Sequence, residues 1–411
     1  MPEGEQKGSS MRIRSIDYLR GLCILAMIVT HVLSFWPTPN SIWVFIIEGV
    51  SFGSVGEIGF VFVAGIGFGF SWAKQNRAGA TTKDQNLKSF SHSLAILLVS
   101  IIFNMAFSFH SSYEGFGPFS WLILQTLAFC RLLALLFTKV KKLPRLLIAL
   151  ALIAFGSLLL NWIDFGNHAN PLASFLFVLL YQPLDYYPLI VFFPFFLIGS
   201  VLGEDLSNVA LNQVKPTELV KQWFIIGLSL SISGLLLGLQ LETQTPYNGR
   251  PLIDLIRTNP TLQITAFPLF LDLNSYAWSF FFCGFTIMLF ISFFHALDAN
   301  PFKKVNANSV TRNILNLYGR YSLTIYLGHY LVFLIPFQFD ASIIWLPDLG
   351  LVLLVYYVIL QLDKVGKGKI SIEYVIGIGG EWIFSKLKTI GITKRVPTIE
   401  NEPLPKPNKT K

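Results

Sequence analysis

Residues 20–31 read RGLCILAMIVTH, an arginine and a histidine bracketing ten residues in a run otherwise apolar enough to lie in a membrane. At 100° per residue, positions eleven apart return to within about 20° of one helix face, and they stand about 16 Å apart along the axis. One face of one helix therefore carries both Arg20 and His31. By the same arithmetic Asp17 lies about 40° from His31, and it can pair with Arg14 or Arg20 at i, i+3. Ionisable groups within hydrocarbon are expensive and usually functional, so the pair suggests an anion held at one mouth and a base near the other. Two plainer readings stay open: Arg20 as an interfacial flank that snorkels, and His31 as a structural histidine bonded to a neighbouring helix.

The rest of the chain makes the membrane reading general. Of its 411 residues 53% are hydrophobic and 13% charged, with 38 phenylalanines, and the mean hydropathy is +0.58. This is the composition of an all-α polytopic membrane protein. Since about 20 apolar residues cross the hydrocarbon, about ten crossings are expected, at roughly 18–36, 54–73, 91–109, 118–138, 145–162, 186–204, 222–240, 276–296, 320–337 and 346–362. Apart from Arg131 inside a span and Arg250 and Arg257 in other loops, lysine and arginine gather in alternate loops such as KVKKLPR and KKVNANSVTR. The positive-inside rule then puts both termini in the cytoplasm. The expected division is a cytoplasmic segment 1–17, a transmembrane domain 18–362 and a cytoplasmic tail 363–411, in a multi-pass protein of the plasma membrane. No small-residue cleavage site follows the first apolar run, so that helix is expected to stay.

Composition also excludes function classes. The net charge of +8 comes from short loops beside apolar spans and not from a basic face with interleaved aromatics, so no nucleic-acid partner is expected. Cys23, Cys130 and Cys283 all fall in apolar spans without metal spacing, so neither a disulfide framework nor a metal is expected. There is no P-loop, GxSxG elbow or HExxH, and GIGG at 377–380 lacks the rest of a dinucleotide fingerprint.

Further polar residues mark a path. Glu57 sits near the outer end of the second crossing and Glu48 in the apolar stretch before it; either could orient the His31 imidazole, or Glu57 could sit at the water boundary. Gly53, Gly56, Gly59, Gly65, Gly67 and Gly69 let helices, or a thin ligand, approach the backbone. In GRYSLTIYLGHYLVFL, Ser322, Tyr326, His329 and Tyr330 share a face. Asn104, Gln125 and Arg131 add polarity to the third and fourth spans, and Arg131 could face a phosphate or pair with an acid. Asp185, Tyr186 and Tyr187 stand at an outer mouth, where aromatic pairs stack on sugars or form an interfacial belt. The loop 241–275, with Asp254, Arg257 and Asp272, is a candidate lid or an ordinary solvated loop.

RIRSIDYLRGLCILAMIVTH resembles the first-helix signature of the heparan-α-glucosaminide N-acetyltransferase catalytic-domain family, and its Arg–His spacing is similar to that of the wider acyltransferase family 3 membrane enzymes. LDYYPLIVFFPFFLIGSVLG and GRYSLTIYLGHYLVFL are similar to two further segments of the first family, and GEWIFSKLK weakly resembles a closing motif of related proteins. The resemblance implies an acetyl or other acyl group taken from cytoplasmic acetyl-CoA or another acyl-CoA and delivered to a sugar or glycan acceptor on the far side. Arg20, with Asp17, Arg131, Ser322, Tyr326 and His329, would then serve the donor, and Glu48, Asp185, Tyr186 and Tyr187 the acceptor. His31, assisted by Glu57, would act as general base, or carry the acyl group itself. The lysosomal branch has an asparagine at the position of His31 and uses a histidine in the following loop; Val32 to Glu57 holds none, so the base is expected on the helix. A transporter of a glycan or lipid-linked precursor is the competing expectation. Membrane lipid is an expected partner, and homo-oligomerisation stays open.

Overall fold

A computed structural model describes residues 13–38, 41, 44, 52–108, 120–166, 170–180, 187–211, 213–242, 267–272, 275–299 and 310–390. In chain order its helices are α1 (Arg14–Phe35), α2 (Ser54–Arg77), α3 (Thr82–Ser108), α4 (Ile123–Ala134), α5 (Lys142–Gly166), α6 (Pro171–Leu180) and α7 (Leu189–Ala210). There follow α8 (Pro216–Leu237), α9 (Tyr276–Leu297), α10 (Val310–Arg320), α11 (Ser322–His329), α12 (Trp345–Gly366) and α13 (Ile372–Thr389). A two-residue antiparallel pairing, Leu241–Glu242 with Phe267–Pro268, closes the gap between α8 and α9.

Among the described residues seven helices are long and apolar enough to cross a membrane: α1, α2, α3, α7, α8, α9 and α12. The other expected crossings take different forms. The fifth interval holds the 25-residue α5. The fourth is a 12-residue helix continued by a 3-10 turn at Leu135–Phe137. The ninth begins ten residues before its expected start, at Val310, and breaks at Tyr321 before α11. Part of the sequence-expected tail is also ordered, as the 18-residue α13.

Glycine sets the centre of the bundle. A Cβ on Gly65 or Gly69 would strike the carbonyls of Phe196 and Ser200, and one on Gly199 or Gly203 those of Phe62 and Ile66. Glycines four apart on both helices thus bring the backbones of α2 and α7 together in parallel, as small residues do where lipid offers no hydrophobic drive to associate. Around this pair α5, α8 and α12 turn Phe155, Leu236 and Leu346 outward, the apolar surface a bilayer would cover.

The placement of α1 comes from both ends of the chain. Its N-cap Ile13 offers no side-chain cap; instead the carboxylate of Asp298, just after α9, accepts from the backbone N–H groups of Arg14 and Ser15 at 3.1 and 2.9 Å. These are orphan donors of a helix start, and an anion there also suits the macrodipole. Along its length α1 packs against α10: a Cβ on Gly21 would meet the Leu315 carbonyl, and one on Gly319 that of Asp17.

Candidate active site

α1 and the α10–α11 helix run side by side in the same direction, so two residue sets are brought together at two levels. At the level where α1 starts, Arg20 donates to the Gly319 carbonyl at 3.4 Å and lies 3.8 Å from Asp17. At the other level His31 meets Tyr330 and His329. Eleven residues of α1 separate the two, about 16 Å of rise.

A cavity of about 400 Å³ opens at the first level. Its walls come from α1 (Arg20), α2 (Gly67, Ser71, Trp72, Gln75), α3 (Gln85, Lys88, Ser89, His92), α4 (Arg131), α11 (Ser322) and α13 (Glu373). Gly67 has nothing within 4 Å of where a Cβ would stand, so it leaves room in the cavity and not at a helix contact. Arg131 donates through Nε to Ser89 at 3.1 Å, and Lys88 pairs with Glu381 at 2.6 Å. Arg20, Lys88 and Arg131 thus bring three cationic side chains to this cavity, with Glu373 as the carboxylate among its lining.

Glu373 builds the wall as well as lining it. α11 has no side-chain cap of its own; Glu373 accepts from the backbone N–H of Leu323 at 2.6 Å and of Thr324 at 3.3 Å, and from the Thr324 hydroxyl at 2.6 Å. The start of α13 thus caps the start of α11. Thr324 returns the bond by accepting from the Ile372 N–H at 2.9 Å.

At the second level the imidazole tautomers follow from their partners. The Met27 carbonyl can only accept, so His31 carries its proton on Nδ1 and donates it at 2.6 Å. Its Nε2 then accepts from the Tyr330 hydroxyl at 3.0 Å. By the same reasoning His329 donates from Nδ1 to the Ile325 carbonyl at 3.0 Å, and its buried Nε2 meets no hydrogen-bond partner among the described residues. The two imidazole rings are 5.0 Å apart. Aromatic rings close the surroundings: Phe35 stacks on His31 at 5.9 Å, Phe333 lies 6.0 Å away, and Tyr326 packs 5.9 Å from His329. Beyond them the chain after α1 is fastened to the chain after α11, with Phe339 donating to the Trp36 carbonyl at 2.7 Å and Thr38 to the Phe339 carbonyl at 3.0 Å.

The expected site residues fall as follows. Arg20, Arg131 and Ser322 line the cavity. His31, Tyr326 and His329 meet at the second level. Asp17 is beside Arg20. Glu57 accepts from the Tyr187 hydroxyl at 3.5 Å, while the hydrogen bonds described for His31 go to Met27 and Tyr330. Tyr187 is buried, and its carbonyl accepts from Thr126 at 2.8 Å. Glu48, Asp185, Tyr186, Asp254 and Arg257 lie outside the described residues. Sequence reading missed Lys88, His92 and Glu373 as cavity residues, because a loop-side lysine reads as topology and a tail reads as solvent. It placed Tyr330 on the polar stripe but did not signal its bond to His31.

A bundle of long apolar helices, with a cavity at one level of α1 and a histidine pair at the other, defines a multi-pass membrane protein. The catalytic model of heparan-alpha-glucosaminide N-acetyltransferase matches residues 12–234, more than half of the 411-residue chain. The chain belongs to this family and is a transmembrane acetyltransferase. No curated protein matches it.

Proposed function

We propose that the protein takes an acetyl group from cytoplasmic acyl-CoA, held in the Arg20 cavity, and passes it to the amine or hydroxyl of a sugar at the opposite face of the plasma membrane, with His31 as general base. The observation that carries this reading is the parallel run of α1 beside α10–α11, which joins Arg20 to Gly319 at one level and His31 to Tyr330 at the other. A thioester lying between them has its anionic part among Arg20, Lys88 and Arg131 and its reacting carbon near the imidazoles. Asp17 steadies Arg20; Ser322 and Tyr326 flank the arm between the two levels.

In the transfer, the acceptor N or O attacks the thioester carbonyl, its proton leaves, the C–S bond breaks and the coenzyme A thiolate takes up a proton. The resting lone pair of His31 Nε2 is already engaged by Tyr330, so the acceptor's proton passes to the Tyr330 oxygen as the Tyr330 proton passes to Nε2. The bond from Nδ1 to Met27 holds the imidazole in the tautomer this needs. His329, whose Nε2 meets no partner among the described residues, stands beside the same atoms and orients the acyl group. Glu57 and Tyr187, with Glu48, Asp185 and Tyr186, belong to the acceptor side.

The test is reconstitution of the full chain in liposomes with labelled acetyl-CoA and an amino-sugar acceptor on opposite faces. His31→Ala lowers label transfer by roughly 10²–10⁴-fold, the range of general base catalysis. Transfer by His31→Ala at the wild-type rate refutes the assignment.

A further inference from the structure

Beside the Arg20 cavity a second cavity of about 470 Å³ opens between the end of α2, the start of α5 and the end of α7. Trp72 lines both. Just beyond it the last turn of α2 divides them, with Gln75 on the first and Arg77 on the second. The second wall also carries Lys141, Lys142, Arg145 and Glu204.

The charges there do not cancel. Lys142 is engaged by Asp205, and Arg145 by Glu204 at 2.5 Å. Arg77 has neutral partners instead: the Ser207 carbonyl and hydroxyl at 3.0 and 2.8 Å, and Asn208. Lys141 is exposed and has no ion-pair partner among the described residues. Two acids therefore face four cations. Arg145 is 4% exposed, yet its Nε meets no hydrogen-bond partner among the described residues. A buried guanidinium donor left over calls for a ligand or water to satisfy it. α5 starts at Lys142 on the same wall; Pro144 has no N–H and the Arg145 N–H donates to the Lys141 carbonyl at 3.2 Å, so the amides of Lys142 and Leu143 are the ones this helix start can offer an anion.

The Arg77 guanidinium at the end of α2, whose partners are neutral, and the Lys141 ammonium and first amides at the start of α5 suit a tetrahedral oxyanion with several acceptor atoms. We propose that this second cavity is a phosphate-ester site. Two sources share that chemistry. One is the nucleotide end of a coenzyme A thioester reaching past Trp72 from the first cavity, a source that rests on the function proposed above. The other is the headgroup of an anionic phospholipid, which does not.

The experiment uses the purified full-length chain in nanodiscs of phosphatidylcholine, with and without phosphatidylglycerol, and compares wild type with Lys141→Gln and Lys141→Arg. Binding of coenzyme A and of pantetheine is measured by calorimetry, and retained phosphatidylglycerol by native mass spectrometry. If the nucleotide is the occupant, Lys141→Gln weakens coenzyme A binding about tenfold, as expected for one charge-assisted contact, leaves pantetheine unchanged, and Lys141→Arg restores it. If the headgroup is the occupant, coenzyme A binding is unaffected and Lys141→Gln loses the retained phosphatidylglycerol. Unchanged binding of both probes overturns the site, as does an equal loss of coenzyme A and pantetheine, which would report damage to the fold. A wild-type protein that binds neither coenzyme A nor pantetheine refutes the acyl-CoA reading, and the phosphatidylglycerol arm then still decides the site.

Discussion

At the scale of single residues, the arrangement around His31 separates two kinds of imidazole. His31 has both ring nitrogens engaged, one by the Met27 carbonyl and one by the Tyr330 hydroxyl, whereas His329 Nε2 meets no hydrogen-bond partner among the described residues. If Tyr330 relays the proton, Tyr330→Phe lowers kcat roughly tenfold or more while KM for acyl-CoA stays close to wild type; steady-state kinetics in proteoliposomes read the split. An unchanged kcat sinks the relay and leaves Tyr330 as packing. Much of this was legible in advance, because the Arg20–His31 spacing fixes a shared face whatever surrounds it. The partner of His31 was not, since helical periodicity says which face Tyr330 occupies and nothing about which helix that face meets.

At the scale of elements, α2 shows one residue type serving two ends. Gly69 sits against the Ser200 carbonyl, so Gly69→Leu forces α2 off α7 and costs about 1–3 kcal/mol or more by overpacking; a lowered thermal midpoint in detergent checks this. Gly67 faces open space in the cavity, so Gly67→Leu leaves that midpoint near wild type and, if the cavity holds the acyl-CoA donor as proposed, raises KM for it instead. The opposite pattern would show that the cavity does not hold the donor. The cap on α11 makes a third test: Glu373→Ala removes the acceptor for Leu323 and Thr324 and destabilises by about 1 kcal/mol, as lost N-caps do. Glu373→Gln keeps an acceptor and should recover most of that loss. The glycine pattern was visible in the sequence, but which glycines pack and which leave space depends on the neighbour across each position. α13 was harder to see, because its cap on α11 comes from a residue some fifty positions away and leaves no local signal.

At the scale of the whole molecule, composition alone established a helical membrane protein, and loop charge suggested how it sits. Crossing count was less secure. α4, α10 and α11 are individually shorter than a bilayer is thick, and polar residues at Arg131 and Tyr321 interrupt the apolar runs a hydropathy window relies on. Orientation can be checked directly, since Cys23, Cys130 and Cys283 are all buried and give little background labelling. With both termini in the cytoplasm, Lys83→Cys reacts with a membrane-impermeant maleimide only in inverted vesicles and Gln338→Cys only in right-side-out ones. The reverse result inverts the molecule and with it the direction of transfer.

The carboxylate that completes the first turn of α1 comes from Asp298, 284 positions later, and the helix that pairs with α1 starts at Val310. The ribosome has therefore released the first helix into the bilayer long before its finishing contacts exist. Until the last third of the chain is made, that helix waits with its start unfinished and its charged face without α10. A nascent chain stopped at residue 234, the end of the matched region, should insert but stay accessible to protease near Arg14, and protection should arrive only once translation passes α10.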